Sequence, residues 1–505
     1  MQTRRTFMST VGKAGAAAAL FGGMGQRSWA KSELNVLFLS IDDLRPLLGC
    51  YGDKDVHTPN IDALAESGTV FNRAYCQQAV CNPSRASLMT GLRPDSGRVW
   101  DLQTHFRDTN PDVVTVSQHF MNNGYHSEGM GKIYHTGHGN RNDAMSWSVP
   151  HRVPRVSNYA LDESNAIIQA NRKASRERAA RGERAGISNG PAAEIADVPD
   201  NAYRDGQTAE WGMEALGRLK DQPFFLAVGM SKPHLPFCAP KRYWDLYDAD
   251  QFDIPKNGLP EDVPKWAATN WGELRKYDAI PAKGPLSEAK ARELIHGYYA
   301  CVSFIDAQVG MLIDRVKSLG LWDRTAVCLW GDHGWKLGEH GLWCKHTNFE
   351  LDARSPLITR IPGQEKAGST TDGLVELVDI YPSLAEAAGL DLPDHLEGTS
   401  YLPLMNDPGR AWKSAAFSQY PRSGKKIMGY SMKTDRYRYT EWVRRGNAEA
   451  PKGAEWKAGK VEARELYDHR TDPAENVNLA GRRNQASVVE RMAGMMDAGW
   501  EGARP

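Results

Sequence analysis

The run Asn35-Val-Leu-Phe-Leu-Ser-Ile41 decides the fold class of this chain. It is nearly uninterrupted in apolar character and has the length of a strand. A strand apolar on both faces is one covered on both faces, as in a parallel α/β sheet. Further β-like runs occur at residues 224–229 and 326–330. Between them, residues 288–319 carry apolar side chains at helical spacing through Leu294, Tyr298, Val302, Ile305, Val309 and Leu312. Nearer the start, residues 59–67 read as a short helix, with Thr58 placed to cap it and Gly68 to stop it. Strands alternating with helices predict a large doubly wound α/β domain around a central, mostly parallel sheet.

Two regions depart from that rhythm. Residues 172–184 are dense in Arg, Ala and Glu and lead into a Gly/Pro/Ala-rich stretch over 186–199; this reads as an excursion over the surface, as a rim or a solvated charged helix. After about residue 410 the elements shorten, with strands expected at 428–430 and 436–442 and a terminal helix at 485–499. The chain is therefore expected to comprise a leader (1–30), a large domain (31–410) and a smaller C-terminal α/β subdomain (411–505).

Composition narrows the function classes. The 505 residues include 62 Lys plus Arg against 62 Asp plus Glu, so the formal net charge is zero. A dedicated nucleic-acid binder would carry a net basic domain, so no nucleic-acid partner is expected. Seven cysteines in so long a chain do not make a disulfide scaffold. Cys328, inside an apolar run, reads as a buried small hydrophobe; pairing among the others is left open by their spacing.

The first thirty residues read as an address. Arg4-Arg5 and Phe7 precede a short apolar, Gly-rich run and then Ser28-Trp29-Ala30, the pattern of a cleaved secretory signal on the bacterial twin-arginine route. The run is too short to span a membrane comfortably. A periplasmic or secreted protein without stable membrane insertion is expected, with the twin-arginine translocation machinery as a partner.

The segment Cys81-Asn-Pro-Ser-Arg85-Ala-Ser-Leu-Met-Thr-Gly91 carries the chemistry. Pro83 suits a helix's first turn and Gly91 its end, which puts Cys81 at the positive end of that helix and Arg85 one turn later. Asp42-Asp43 and Asp332-His333 stand at the ends of two apolar runs, where ligands bind in open α/β sheets. Taken alone, such Asp residues more often cap turns.

Together these segments resemble the sulfatase family, whose signature is Cys-x-Pro-Ser-Arg followed by Leu-x-Thr-Gly. The segments around Lys132 and His135, around Lys232-Pro233-His234 and around Trp343-Cys344-Lys345 match in order. Within that family, Asp42-Asp-Leu-Arg-Pro46, Asp332-His-Gly-Trp335 with Leu337-Gly-Glu-His-Gly341, and Ser418-Gln-Tyr-Pro-Arg422 look like the iduronate-2-sulfatase branch. The similarity is weakest over residues 140–201. The resemblance implies a sulfuric ester hydrolase of the alkaline-phosphatase-like fold, with Cys81 oxidised to formylglycine by a maturation enzyme.

It also implies the residue roles. The hydrated aldehyde supplies the attacking hydroxyl, Arg85 holds it, and Lys132 and His135 contact the second hydroxyl, with His135 as base. His234 and Lys345 bind sulfate, and one of them protonates the leaving oxygen. Asp42, Asp43, Asp332, His333 and the modified Cys81 hold a divalent cation. Oxygen ligands favour Ca²⁺, with Mg²⁺ and Mn²⁺ open, although His333 supplies nitrogen where many sulfatases have Asn. A sulfated mono- or oligosaccharide is the implied substrate, with Arg45, Trp335 and His340 as residues for sugar contact or for folding. Two alternatives remain at this stage. One is a phosphodiesterase or phosphonate monoester hydrolase using the same modified site. The other is a non-catalytic binder of sulfated glycans, which would require an incomplete pocket.

Overall fold

The structure is a computed structural model that describes residues 34–183, 186–444 and 459–505. The leader expected over residues 1–30 lies outside the described residues. A seven-stranded sheet forms the centre, in the order Ser369–Thr371, Thr69–Phe71, Leu357–Arg360, Thr325–Gly331, Asn35–Asp42, Phe224–Pro233, His126–Gly131. Asn35–Asp42 pairs in parallel with both neighbours, and only Leu357–Arg360 runs against its partners.

The first strand shows why the apolar run reads as doubly covered. Leu37, Leu39 and Ile41 join one core cluster, whereas Val36 and Phe38 join the other. Successive side chains point to opposite faces, so a strand buried on both sides has no polar alternation to display. Helices Pro59–Glu66, Arg204–Leu219 and Glu288–Ser318 cover the first face. Helices Cys81–Thr90, Val116–Asn122 and Ile380–Ala387 cover the second. This is the doubly wound α/β arrangement that the alternation predicts.

Several local expectations are adjusted. Thr58 stands at the helix N-cap, but its hydroxyl accepts from Gly49 N (2.9 Å) and reaches Asp62. The first-turn amides of Asn60 and Ile61 donate instead to Asp306 of the long helix. Most of the Arg-rich segment belongs to the exposed helix Asp162–Ala180, in which only Ser164 and Ser175 are buried. All seven cysteines are free thiols, and Cys328 is buried. Among the described residues no helix is long and apolar enough to cross a membrane.

The C-terminal part is a four-stranded antiparallel meander: Ala415–Arg422, Ile427–Thr434, Tyr437–Arg444 and Lys460–Asp468. The helix Ala486–Gly502 packs on it through Met492 and Met496, against Met428, Met432 and Tyr439. Lys413 joins the two parts by donating to Glu376 (2.9 Å) and Asp379 (2.7 Å), and Arg93 forks onto Glu376. The edge strand reaches the catalytic side as well. Gln419 N donates to Gln77 O, and Arg422 donates to the carbonyls of Trp266 and His346.

One buried carboxyl in this meander makes stability pH-dependent. Glu465 accepts from Trp442 Nε1 (2.6 Å) and pairs with the Tyr467 hydroxyl (2.6 Å). Burial pushes its carboxyl up to about 7, against the opposing pull of those hydrogen bonds. The folded state thus holds a proton that the unfolded chain releases near pH 4.3, so its contribution is complete below about that pH and is lost as pH rises through about 7, roughly 3 kcal/mol in all. Glu465→Gln keeps the shape and removes the ionisation. Thermal denaturation should show a smaller fall in Tm between about pH 5 and about pH 8 for the variant than for the parent; parallel curves would rule the linkage out.

Candidate active site

The carboxyl ends of four adjacent parallel strands converge on Cys81. Asp42 ends the first strand, Lys132 follows His126–Gly131, His234 follows Phe224–Pro233, and Asp332-His333 follow Thr325–Gly331. The Cys81 helix begins at Cys81 itself and stops at Gly91, which adopts the left-handed conformation (φ 71°). Asp43 also takes a positive φ of 61°, unusual for a residue with a side chain. Asp332 Oδ1 accepts its amide (3.0 Å) and the Tyr298 hydroxyl donates to its carbonyl (2.8 Å), so the turn is held from two sides. The turn lets consecutive aspartates face one point.

Close backbone approach does the same for Lys132. A Cβ on Gly229 would lie 2.2 Å from Lys132 O, so only glycine admits this crossing. The carbonyls of Lys132 and Ile133 then turn inward and accept from Arg85 Nη1 (2.5 and 3.1 Å). The same guanidinium donates to Ser40 (2.7 Å), Asp42 (3.0 Å) and Asp332 (2.8 Å), all without exposure to solvent. Lys132 Nζ pairs with the second Asp42 oxygen and lies 3.7 Å from Cys81 Sγ. Burial alone would raise the Asp42 carboxyl, but Lys132 and Arg85 outweigh it and hold it well below the usual carboxylate range. The Cys81 thiol is pushed well above its ordinary value by burial, reinforced by Asp42. An unmodified Cys81 therefore lacks the thiolate character that nucleophilic cysteines require.

The donor set fits a divalent cation. Ligand atoms of Asp42, Asp43, Cys81 and His234 lie within 4.8 Å of one another, as do those of Cys81, Asp332 and His333. His333 Nδ1 faces the Gly334 carbonyl at 3.0 Å; a carbonyl only accepts, so this nitrogen carries hydrogen. Its Nε2 then points at Asp43 Oδ1 (3.3 Å), Asp332 Oδ2 (3.6 Å) and Cys81 Sγ (3.5 Å). A nitrogen lone pair among carboxylate oxygens is the arrangement a cation satisfies. The charges agree. Asp42, Asp43 and Asp332 are balanced by Arg85, Lys132 and Lys345, so a divalent ion leaves the pocket positive, as an anionic ester requires.

The remaining expected residues stand on the open side. Lys345 Nζ donates to Asp43 (2.8 Å) and to Glu273 (3.0 Å). His234 Nδ1 donates to Leu235 O (2.6 Å), and its Nε2 lies 3.0 Å from Glu273 Oε1. His135 is the outlier. Its Nε2 pairs with His138 Nδ1 (3.3 Å), its Nδ1 is buried without a partner, and no direct contact joins it to Cys81. Burial, with Lys132 adding, lowers the His135 imidazole to about 2, which keeps it neutral. Trp335 and His340 are built into the fold. Trp335 is buried under Lys345 and beside Phe237, and His340 bonds the Ala474 carbonyl (2.8 Å). Arg45 pairs with Glu339 (2.6 Å).

Sequence reasoning missed Glu273, His138 and His346. Glu273 touches both Lys345 and His234, and His346 lies 3.7 Å from it. These residues sit on irregular loops without periodicity, and only the fold brings them to the pocket.

Comparison with known proteins places this site in context. The sulfatase family profile matches residues 34–390, and that of the C-terminal part of N-sulphoglucosamine sulphohydrolase matches residues 338–499. Iduronate 2-sulfatase of Homo sapiens is 34% identical, covering 91% of this chain and 93% of its own length. Among solved structures, the phosphonate monoester hydrolase of Agrobacterium radiobacter has a TM-score of 0.69 at 23% identity, covering 92% of this chain and 95% of that one. A protein solved with its substrate D-glucosamine-2-N,6-O-disulfate also reaches 0.69, at 21% identity and 92% and 97% coverage; both likenesses concern the fold. With a family profile spanning most of its length and a relative of this identity across nine-tenths of it, the chain belongs to the sulfatases, the sulfuric ester hydrolases.

Proposed function

We propose that this sulfatase is exported and removes sulfate from a sulfated sugar, using formylglycine made from Cys81 and a divalent cation. The observation that carries the reading is the convergence of Asp42, Asp43, Asp332, His333 and Cys81 under Arg85, Lys132 and Lys345. The cation would be held by those four side chains and the modified Cys81. Three carboxylates favour Ca²⁺ over softer ions, with Mg²⁺ and Mn²⁺ as substitutes. When bound it acidifies a hydroxyl and withdraws charge from a sulfate oxygen. Formylglycine supplies, as its hydrate, a nucleophile that a buried neutral thiol does not.

The chain's own side chains do the rest. Arg85 fixes the carboxylates and faces the nucleophile. Lys132, 3.7 Å from the Cys81 side chain, offsets negative charge there. Neutral His135 is the base, and it must leave His138 to reach the reacting hydroxyl. His234 and Lys345 bind sulfate from the open side, and one of the two gives a proton to the leaving oxygen. The substrate class rests on the iduronate 2-sulfatase relatives, and an iduronate 2-sulfate unit is the first candidate. Because the twin-arginine route carries folded chains, maturation of Cys81 in the cytoplasm is compatible with export, and residues 1–30 are the support for a periplasmic or secreted location. We divide the exported chain into a catalytic domain over 31–410 and a C-terminal subdomain over 411–505.

Two measurements test this. Protein produced with a formylglycine-generating enzyme should yield a Cys81 peptide whose mass shows the aldehyde or its hydrate, and Cys81→Ala should lose at least about 10³-fold in kcat. Full activity with an unmodified thiol would contradict the mechanism. Chelation should abolish sulfate release and lower Tm, and Ca²⁺ at about 100 times its Kd should restore roughly 2.7 kcal/mol of stability. Asp43→Asn should blunt that Tm response. A Tm indifferent to chelator and Ca²⁺ would remove the metal assignment.

A further inference from the structure

Glu273 bridges Lys345 and His234, and it lies closer to His234 than Asp43 does. Its oxygens lie 3.0 Å from Lys345 Nζ and 3.0 Å from His234 Nε2. Its side chain is 21% exposed, whereas those of Asp42, Asp43 and Asp332 are fully enclosed. It therefore stands at the mouth, where the organic part of the ester must lie, and it belongs to none of the candidate metal-ligand groups among the described residues.

The loop that delivers this carboxylate is braced. The Arg275 guanidinium lies 3.3 Å from the centre of the Trp271 ring. The same side chain donates to the carbonyls of Asn270 (3.0 Å), Pro281 (2.6 Å) and Gly284 (3.0 Å). Leu274 and Tyr277 are buried beneath, and the amides of Ser188 and Asn189 donate to Lys276 O. A carboxylate on so constrained a loop holds its partners in place.

Each partner has one other carboxylate within reach, Asp43. Lys345 also bonds Asp43, but Asp43 is assigned to the cation, which leaves Glu273 as the acceptor that stays with Lys345. His234 Nε2 is 3.8 Å from Asp43 and 3.0 Å from Glu273. Its Nδ1 is committed to the Leu235 carbonyl, so the two contacts together fix the plane of the ring.

We propose that Glu273 is a positioning residue that aims the His234–Lys345 pair at the leaving oxygen of the ester. The role rests on the sulfatase reading above. In the step it serves, a hydroxyl oxygen of the hydrated residue 81 bonds to sulfur, losing its proton to solvent, as the ester S–O bond breaks with its electron pair on the bridging oxygen. A proton from an N–H of the pair forms the alcohol O–H, and solvent returns that proton to the nitrogen. Correct aim matters most where the departing oxygen is strongly basic, as in a sugar alcohol, and least for an aryl ester whose phenolate leaves unaided.

The test uses matured full-length protein carrying Glu273→Gln or Glu273→Asp, with formylglycine content and Tm measured for each. Substrates are a sugar sulfate that the parent cleaves and 4-nitrophenyl sulfate. Glu273→Gln should lower kcat on the sugar ester by about 100-fold and on the aryl ester by less than about fivefold. Glu273→Asp should recover a tenth or more of the parent's kcat on the sugar ester (~10-fold loss at most). Equal losses on the two esters, no loss, or Gln matching Asp would overturn the role while leaving the sulfatase reading intact. A matured parent that cleaves neither ester would remove both.

Discussion

One buried guanidinium holds the pocket together. Arg85, fully enclosed, ties Asp42 to Asp332 and takes Ser40 and the Lys132 and Ile133 carbonyls with its remaining hydrogens. Those groups come from the ends of three parallel strands, so a single side chain sets the spacing of the sheet's carboxyl edge. A buried ion pair of this kind is weak evidence for stability in itself, yet removing one partner strands a charge and costs about 3–5 kcal/mol. Its value is geometric. The aspartates cannot turn toward solvent, and the Cys81 side chain lies among them by construction.

The equality of 62 basic and 62 acidic residues describes none of this. The pocket without a cation is also balanced, three aspartates against two lysines and an arginine. Adding a divalent ion turns a neutral cluster into an anion receptor, and Glu273 at the mouth partly offsets that charge until substrate arrives. A bound cation and a sulfate would thus support one another through ordinary electrostatics in a site of low dielectric.

Much of this was legible in sequence because the signals were local. The first strand announces its burial on both faces through Val36, Leu37, Phe38 and Leu39, and the Cys81 helix carries its own start and stop. Asp42-Asp43 and Asp332-His333 sit next to strands, so finding the strands finds them. Glu273 and His346 were invisible because long-range packing, through Trp271, Arg275 and the C-terminal edge strand, brings them to the pocket, and His138 because its loop has no periodicity. Thr58 shows the opposite failure. Its cap signal was correct in position, but Asp306, distant in sequence, supplies the oxygen. The Arg-rich segment offered a rim or a solvated charged helix, and it is the helix that forms, over Asp162–Ala180.

Whether the pocket cleaves sulfated sugars is decided by release of inorganic sulfate, by ion chromatography, from a panel of defined sulfated mono- and oligosaccharides. Matured enzyme would be used, with an aryl phosphate diester run beside the panel. Sulfate is expected from at least one sugar ester, with iduronate 2-sulfate units foremost, and turnover of the diester is expected to be slower. Binding of the glycans without sulfate release, or a clear preference for the phosphate diester, would contradict it.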